Sequence, residues 1–127
     1  MSPTLSANPA PGFAKKPDYR IALKPAGRRM RVLAGCVTVA ESDDVLVMRE
    51  GDYAPVYYFP RGDVKMDLLA RTDHASFCPF KGDASYWSIA DGAENAAWSY
   101  EAPFDEMTEI KDMVAFYDDK VKLEVVG

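Results

Sequence analysis

Apolar runs of roughly four to seven residues, each cut off by a proline, glycine or aspartate cluster, recur along this chain from Tyr19 onward. That rhythm confines it to short strands. Residues 19–23 and 29–33 alternate apolar with polar or basic side chains, the period-two pattern of half-buried strands, with a turn over residues 25–28 between them. Residues 37–40 and 45–48 flank Glu41-Ser42-Asp43-Asp44, a polar cluster that suits a hairpin. Val56-Tyr57-Tyr58-Phe59 is an aromatic strand ended by Pro60, which cannot donate to a ladder. Residues 76–78 and 84–90 flank the tight connection Pro79-Phe80-Lys81-Gly82-Asp83, and residues 95–100, 113–117 and 121–126 complete the series. One short helix is predicted near residues 103–112, where Pro103 precedes Asp105 and Glu106 and where Phe104, Met107 and Ile110 recur at intervals of three. About eight or nine short strands with one short helix predict a mainly β chain, folded as a small compact barrel or a two-layer sheet rather than a βαβ array.

A length of 127 residues suits one domain. Residues 1–17, interrupted by Pro3, Pro9, Pro11 and Pro17, read as a mobile tail, and residues 18–127 as a single β-rich domain. No apolar run approaches the ~20 residues of a membrane helix, and the start lacks a secretion signal's continuous apolar stretch, so a cytoplasmic chain with no membrane partner is expected. Cys36 and Cys78 form no CxxC pair, which signals neither a zinc site nor a disulfide, and no cofactor is indicated. A net charge of -5 argues against a nucleic-acid partner. The charge is uneven, since residues 1–31 carry seven basic groups against Asp18 alone. Those basic strands are expected to meet acidic surface, either of the same chain or of a second copy in a homo-oligomer, or else to present an anion-binding face.

Chemistry-bearing residues concentrate between Val56 and Glu101. The blocks Val56-Tyr57-Tyr58-Phe59-Pro60-Arg61, Thr72-Asp73-His74, Cys78-Pro79-Phe80-Lys81-Gly82-Asp83-Ala84-Ser85-Tyr86-Trp87-Ser88 and Asn95-Ala96-Ala97-Trp98-Ser99-Tyr100-Glu101, closed by Val114-Ala115-Phe116-Tyr117, resemble the family called domain of unknown function 427. The resemblance implies a small β-rich domain of bacterial or fungal type without an established activity; one classification label for the family implies kinship with nucleotidyltransferases.

The residues themselves offer several readings. Lys81, in a Gly-flanked turn with exposed N–H groups, is a seat for an anion or else the partner of Asp83. Arg61 either pairs with Asp63 to hold a turn or joins Lys81 as a bidentate donor to a carboxylate or phosphate. Trp98 and Tyr100 share one strand face and either pack into the core or, with Tyr86, form the walls of an aromatic-lined pocket for a small molecule. Cys78 and His74 are the reactive candidates, but four extended residues would hold them ~13 Å apart. Asp63 and Asp67 are the nearby carboxylates from which a metal-dependent nucleotidyl transfer would have to be built. Two functions of different class follow: a domain that binds a small anionic or aromatic ligand, as a binder or an enzyme, and a non-catalytic protein-interaction module. Nucleotidyltransferase-like activity is a third.

Overall fold

Among the described residues, 8–90 and 92–126 of the computed structural model, the short runs become ten strands: β1 (Ile21–Pro25), β2 (Met30–Ala34), β3 (Val37–Ser42), β4 (Leu46–Glu50), β5 (Val56–Phe59), β6 (Leu69–Cys78), β7 (Gly82–Ile89), β8 (Ala97–Ser99), β9 (Val114–Phe116) and β10 (Lys122–Val125). They divide into an antiparallel seven-stranded sheet of order β1-β4-β5-β9-β8-β7-β6 and a three-stranded sheet of order β10-β2-β3. The chain is mainly β, and the sheets do not close into a barrel. No helix is long and apolar enough to cross a membrane.

Two connections depart from the expected turns. Residues 25–28 do not join a hairpin, because β1 pairs with β4 while β2 pairs with β3 and β10. The Glu41–Asp44 cluster likewise carries the chain from β3 in the small sheet to β4 in the large one. Its polar residues are spent on that crossing. Ser42 Oγ donates to Asp63 Oδ2 at 2.6 Å and accepts from Asp44 N, and Arg29 bonds both Glu41 and Asp43. The real hairpin of the small sheet is β2–β3, where Gly35 at φ +64° supplies the left-handed residue of a two-residue turn. Arg31 pairs across the same sheet with Glu124 of β10, so part of the basic N-terminal region finds its acids within the chain.

Alternation along the strands makes two cores. One face of the large sheet presents Phe59, Trp87, Ile89, Ala97, Val114 and Phe116 to Met30, Val32 and Val39 of the small sheet. The opposite face carries Met48, Tyr58, Ala84, Tyr86, Tyr100 and Ala115, covered in part by Met107 and Ile110. These last two lie in the expected helical stretch, which is a kinked 3₁₀ segment over Asp105–Ile110 rather than an α-helix. The recurrence of Phe104, Met107 and Ile110 at intervals of three suits this geometry, because side chains three apart eclipse in a 3₁₀ turn.

The expected tail is built into the fold from Asn8 on; residues 1–7 lie outside the described residues. Asn8 N donates to Asp105, Ala10 N to Glu106, and Gly12 N to the Pro79 carbonyl at 2.8 Å. The helix α1 (Pro11–Lys15) starts on a proline, and Phe13 and Tyr19 pack against Phe80, Tyr19 stacking on it at 4.2 Å. Tertiary contacts order a segment whose own propensities are poor. The approach is so close that a Cβ on Gly12 would lie 2.7 Å from the Phe80 ring and 2.9 Å from the Pro79 oxygen. Gly12→Ala is therefore expected to cost about 1–3 kcal/mol and to speed hydrogen exchange at the position-12 amide and at Ala10. Urea unfolding and exchange indistinguishable from the parent would contradict this seating.

Candidate ligand-binding face

The site grows from one register row. Tyr58 lies opposite Ala115, Ala115 opposite Trp98, and Trp98 opposite Tyr86, which places these side chains side by side across β5, β9, β8 and β7. Directly opposed residues of an antiparallel pair point to the same face, so the row is a consequence of strand order. Tyr100, two residues beyond Trp98, joins it. Phe13, Met107 and Ile110 pack onto this cluster, but Trp98 stays half-buried, and Tyr117 and His74 remain exposed. His74 stands edge-on to Tyr86 at 4.4 Å, Tyr117 lies 4.4 Å from Trp98, and Tyr86 exchanges a hydrogen bond with Ser76 at 2.9 Å. Burial pushes the Tyr58 and Tyr100 hydroxyls far above the usual phenol range. Burial, followed by the hydrogen bond to Tyr86, pushes Tyr117 up to about 12. All three are neutral at physiological pH.

The open end of this row forms a groove of adjoining depressions. One of about 270 Å³ is lined by Thr72, His74, Ser88, Glu94 and Asn95. A second, of about 250 Å³, shares His74 and Asn95 and adds Tyr86, Tyr117, Asp119 and Lys120. A third, of about 200 Å³, continues past Tyr117 along Trp98 and Tyr57. Asn95 is the pivot. It holds a left-handed backbone at φ +48°, its Oδ1 accepts from Thr72 at 2.6 Å and its N–H donates to Ser88. These bonds leave the Asn95 amide NH₂ as a fixed donor. Lys120 donates to the Glu94 carbonyl and lies 5.4 Å from the Tyr117 ring centre.

Lys81 sits at the covered end of the same face, almost fully buried, and its ammonium bonds Glu50 at 2.6 Å rather than Asp83. Tyr19 donates to the other Glu50 oxygen, and Cys78 Sγ lies 4.0 Å from the ammonium. Burial raises the Glu50 carboxyl, but the bonds from Lys81 and Tyr19 outweigh it and hold the group below its ordinary range. The hydrogen bond to Glu50, then burial, lift the Tyr19 phenol to about 12. Cys78 and His74 occupy the same strand, β6, with different neighbours, Lys81 for the thiol and Tyr86 for the imidazole.

Arg61 belongs to the other face. It donates to Ser99, Glu101 and the Asp112 carbonyl, and its guanidinium lies 5.1 Å from the Trp87 ring centre. Arg71, 5.2 Å from the same ring, bonds the second Glu101 oxygen. Burial raises Glu101, and the two guanidiniums pull it back below the ordinary carboxylate range. Asp63 accepts from Ser42 instead of pairing with Arg61, and Asp63 and Asp67 fall in separate 3₁₀ turns, Arg61–Asp63 and Met66–Leu68. Among the described residues no three His, Cys, Asp or Glu side chains are grouped to hold a metal ion.

Of the residues singled out from sequence, the structure brings Tyr86, Trp98 and His74 to the groove, buries Tyr100 in the cluster behind it, sets Lys81 and Cys78 beside that cluster under cover, and separates Arg61 and Asp63. Tyr117 and Asn95 were missed. Neither has a local signature, since their place depends on which strands become neighbours. A cavity of about 400 Å³ between Ala34, Val39, Leu68 and Ile89 contains none of these residues and carries one charged group, Lys120. Comparison with known families finds one described as "Domain of unknown function (DUF427)", which matches residues 22–127. No curated protein matches the chain.

Proposed function

The chain belongs to the DUF427 family, a domain of unknown function, and on that premise we propose that it is a small-molecule-binding domain whose ligand lies in the groove at His74, Tyr86, Asn95 and Tyr117. The observation that carries this reading is the junction of the four-strand aromatic row with continuous depressions at its open end. Flat aromatic surface beside a few oriented polar groups suits a planar or sugar-like molecule. Charge narrows the class. Arg61 and Lys81 are spent on Glu101 and Glu50, whereas Glu94 and Asp119 line the groove against one ammonium, Lys120. A neutral aromatic or polyhydroxyl ligand therefore fits this groove better than an anionic one.

The test is thermal shift and ligand-observed NMR against nucleosides, aromatic heterocycles and mono- and disaccharides. A ligand at 100 times its dissociation constant adds about 2.7 kcal/mol to the folded state. Tyr117→Ala and Asn95→Ala are expected to weaken a hit by about tenfold each, the Asn95 effect corresponding to loss of a well-placed donor. Hits that ignore both substitutions would place binding elsewhere. No hit, together with self-association through exposed strand edges, would favour the interaction module. Should turnover accompany binding, retention of it in Cys78→Ser would remove the thiol from the chemistry.

A further inference from the structure

Where residues 25–28 cross from the large sheet to the small one, a separate cavity of about 260 Å³ opens between Arg28, Arg49, Tyr57, Met30, Val47 and Val125. Its lining includes Arg28, Arg49 and Tyr57 and no Asp or Glu. Arg29, Arg31, Arg61, Arg71, Lys81 and Lys122 each pair with an acid of the chain. Arg28 and Arg49 are among the cations that, within the described residues, form no ion pair, and these two line one cavity. In a protein with twenty Asp and Glu residues and a net charge of -5, two arginines facing one concavity without an acid leave their charge to be met from outside.

The setting is built on firm elements. Arg49 stands on β4, paired there with Ala22 of β1. Arg28 precedes Arg29, whose guanidinium is held by Glu41 and Asp43 at 2.6 and 2.8 Å, which anchors the turn. Met30, Val47 and Val125 supply the apolar part of the lining. A guanidinium's planar donors match two oxygens of a phosphate or carboxylate, and two of them on one cavity favour a compact dianion.

We propose that this cavity is an anion site for a small phosphate- or carboxylate-bearing molecule, with Arg28 and Arg49 as its ligating residues and the Tyr57 hydroxyl as a further donor. The site shares Tyr57 with the third depression of the aromatic groove, but its probe is an anion without a ring, so the two readings are tested apart.

The experiment titrates inorganic phosphate, pyrophosphate and succinate into ¹⁵N-labelled protein at constant ionic strength, with chloride as the reference, and follows the arginine Nε–Hε and backbone resonances. Saturable shifts at Arg28, Arg49 and Tyr57 are expected, the polyphosphate and dicarboxylate arms distinguishing the two anion chemistries. Arg28→Gln and Arg49→Gln should each weaken binding by about tenfold. Both residues are exposed, so the melting temperatures of the variants should match the parent. The proposal is overturned by shifts that chloride reproduces and that spread over Lys15, Lys16 and Arg20, or by affinities that neither substitution changes. It is also overturned if sedimentation shows a dimer that both substitutions dissociate, because the occupant is then an acidic side chain of a second copy.

Discussion

Trp87→Ala is expected to lower the free energy of unfolding by about 3–5 kcal/mol, the range of a large aromatic removed from a packed core. Trp87 is only 5% exposed and belongs to the cluster that joins the two sheets through Phe59, Val114 and Phe116. Its ring also underlies the Arg61 and Arg71 guanidiniums, so the substitution leaves a cavity and removes the floor of the Arg61–Glu101–Arg71 network in one step. The second tryptophan provides the contrast. Trp98 is half-buried at the edge of the open groove, and Trp98→Ala should cost about 1–2 kcal/mol, since the removed surface is already partly in water. Urea unfolding of the two variants, followed by circular dichroism, reads both numbers. Equal penalties would mean that the two faces of the large sheet are not divided between core and site as described.

Lys81→Met should destabilise the protein by about 3 kcal/mol at neutral pH, because it strands the Glu50 carboxylate in a place from which water is largely excluded. The Lys81 and Glu50 side chains are 11% and 17% exposed, so neither charge is met by solvent alone. The double variant Lys81→Met, Glu50→Leu should regain most of the loss, as apolar replacements of a buried pair commonly do. The pH dependence has a definite sign. In the parent, the Glu50 carboxyl is held below its ordinary value of 4.5, so its contribution is complete above that pH and is lost as the pH falls through the lower folded value. In Lys81→Met the burial remains while the ammonium is gone, so protonating Glu50 relieves the strain. The penalty relative to the parent is therefore largest at neutral pH and shrinks on acidification. A penalty that stays constant from pH 7 to pH 4 would assign it to lost packing of the lysine stem rather than to the stranded charge.

The two predictions concern opposite faces of one sheet, whose residues are unevenly legible in the sequence. Local alternation correctly set Trp98 and Tyr100 on one side of their strand. It does not separate Arg61 from Lys81, for which a shared anion site is one reading beside ion pairs with Asp63 and Asp83. The structure places Arg61 over Trp87 and Lys81 beside Glu50. The aromatics between Val56 and Glu101 divide as well: Tyr58, Tyr86, Trp98 and Tyr100 belong to one core, and Tyr57 and Trp87 pack with the other. Period-two patterning states which neighbours within a strand share a face, but not which face of which sheet that becomes.

By itself the sequence determined the family, the mainly β class and the short-strand rhythm, because these depend on residue types at fixed local spacing. It also marked the turn between β6 and β7, where proline and glycine restrict the backbone directly. Tertiary structure alone decided the split into seven and three strands, the passage of residues 41–44 between sheets, the seating of Gly12 under Phe80, and the meeting of His74, Asn95 and Tyr117 in one groove. Each of these depends on pairing between segments far apart in the chain. Such pairing is selected by the burial of whole faces and carries no signature within any single run of residues.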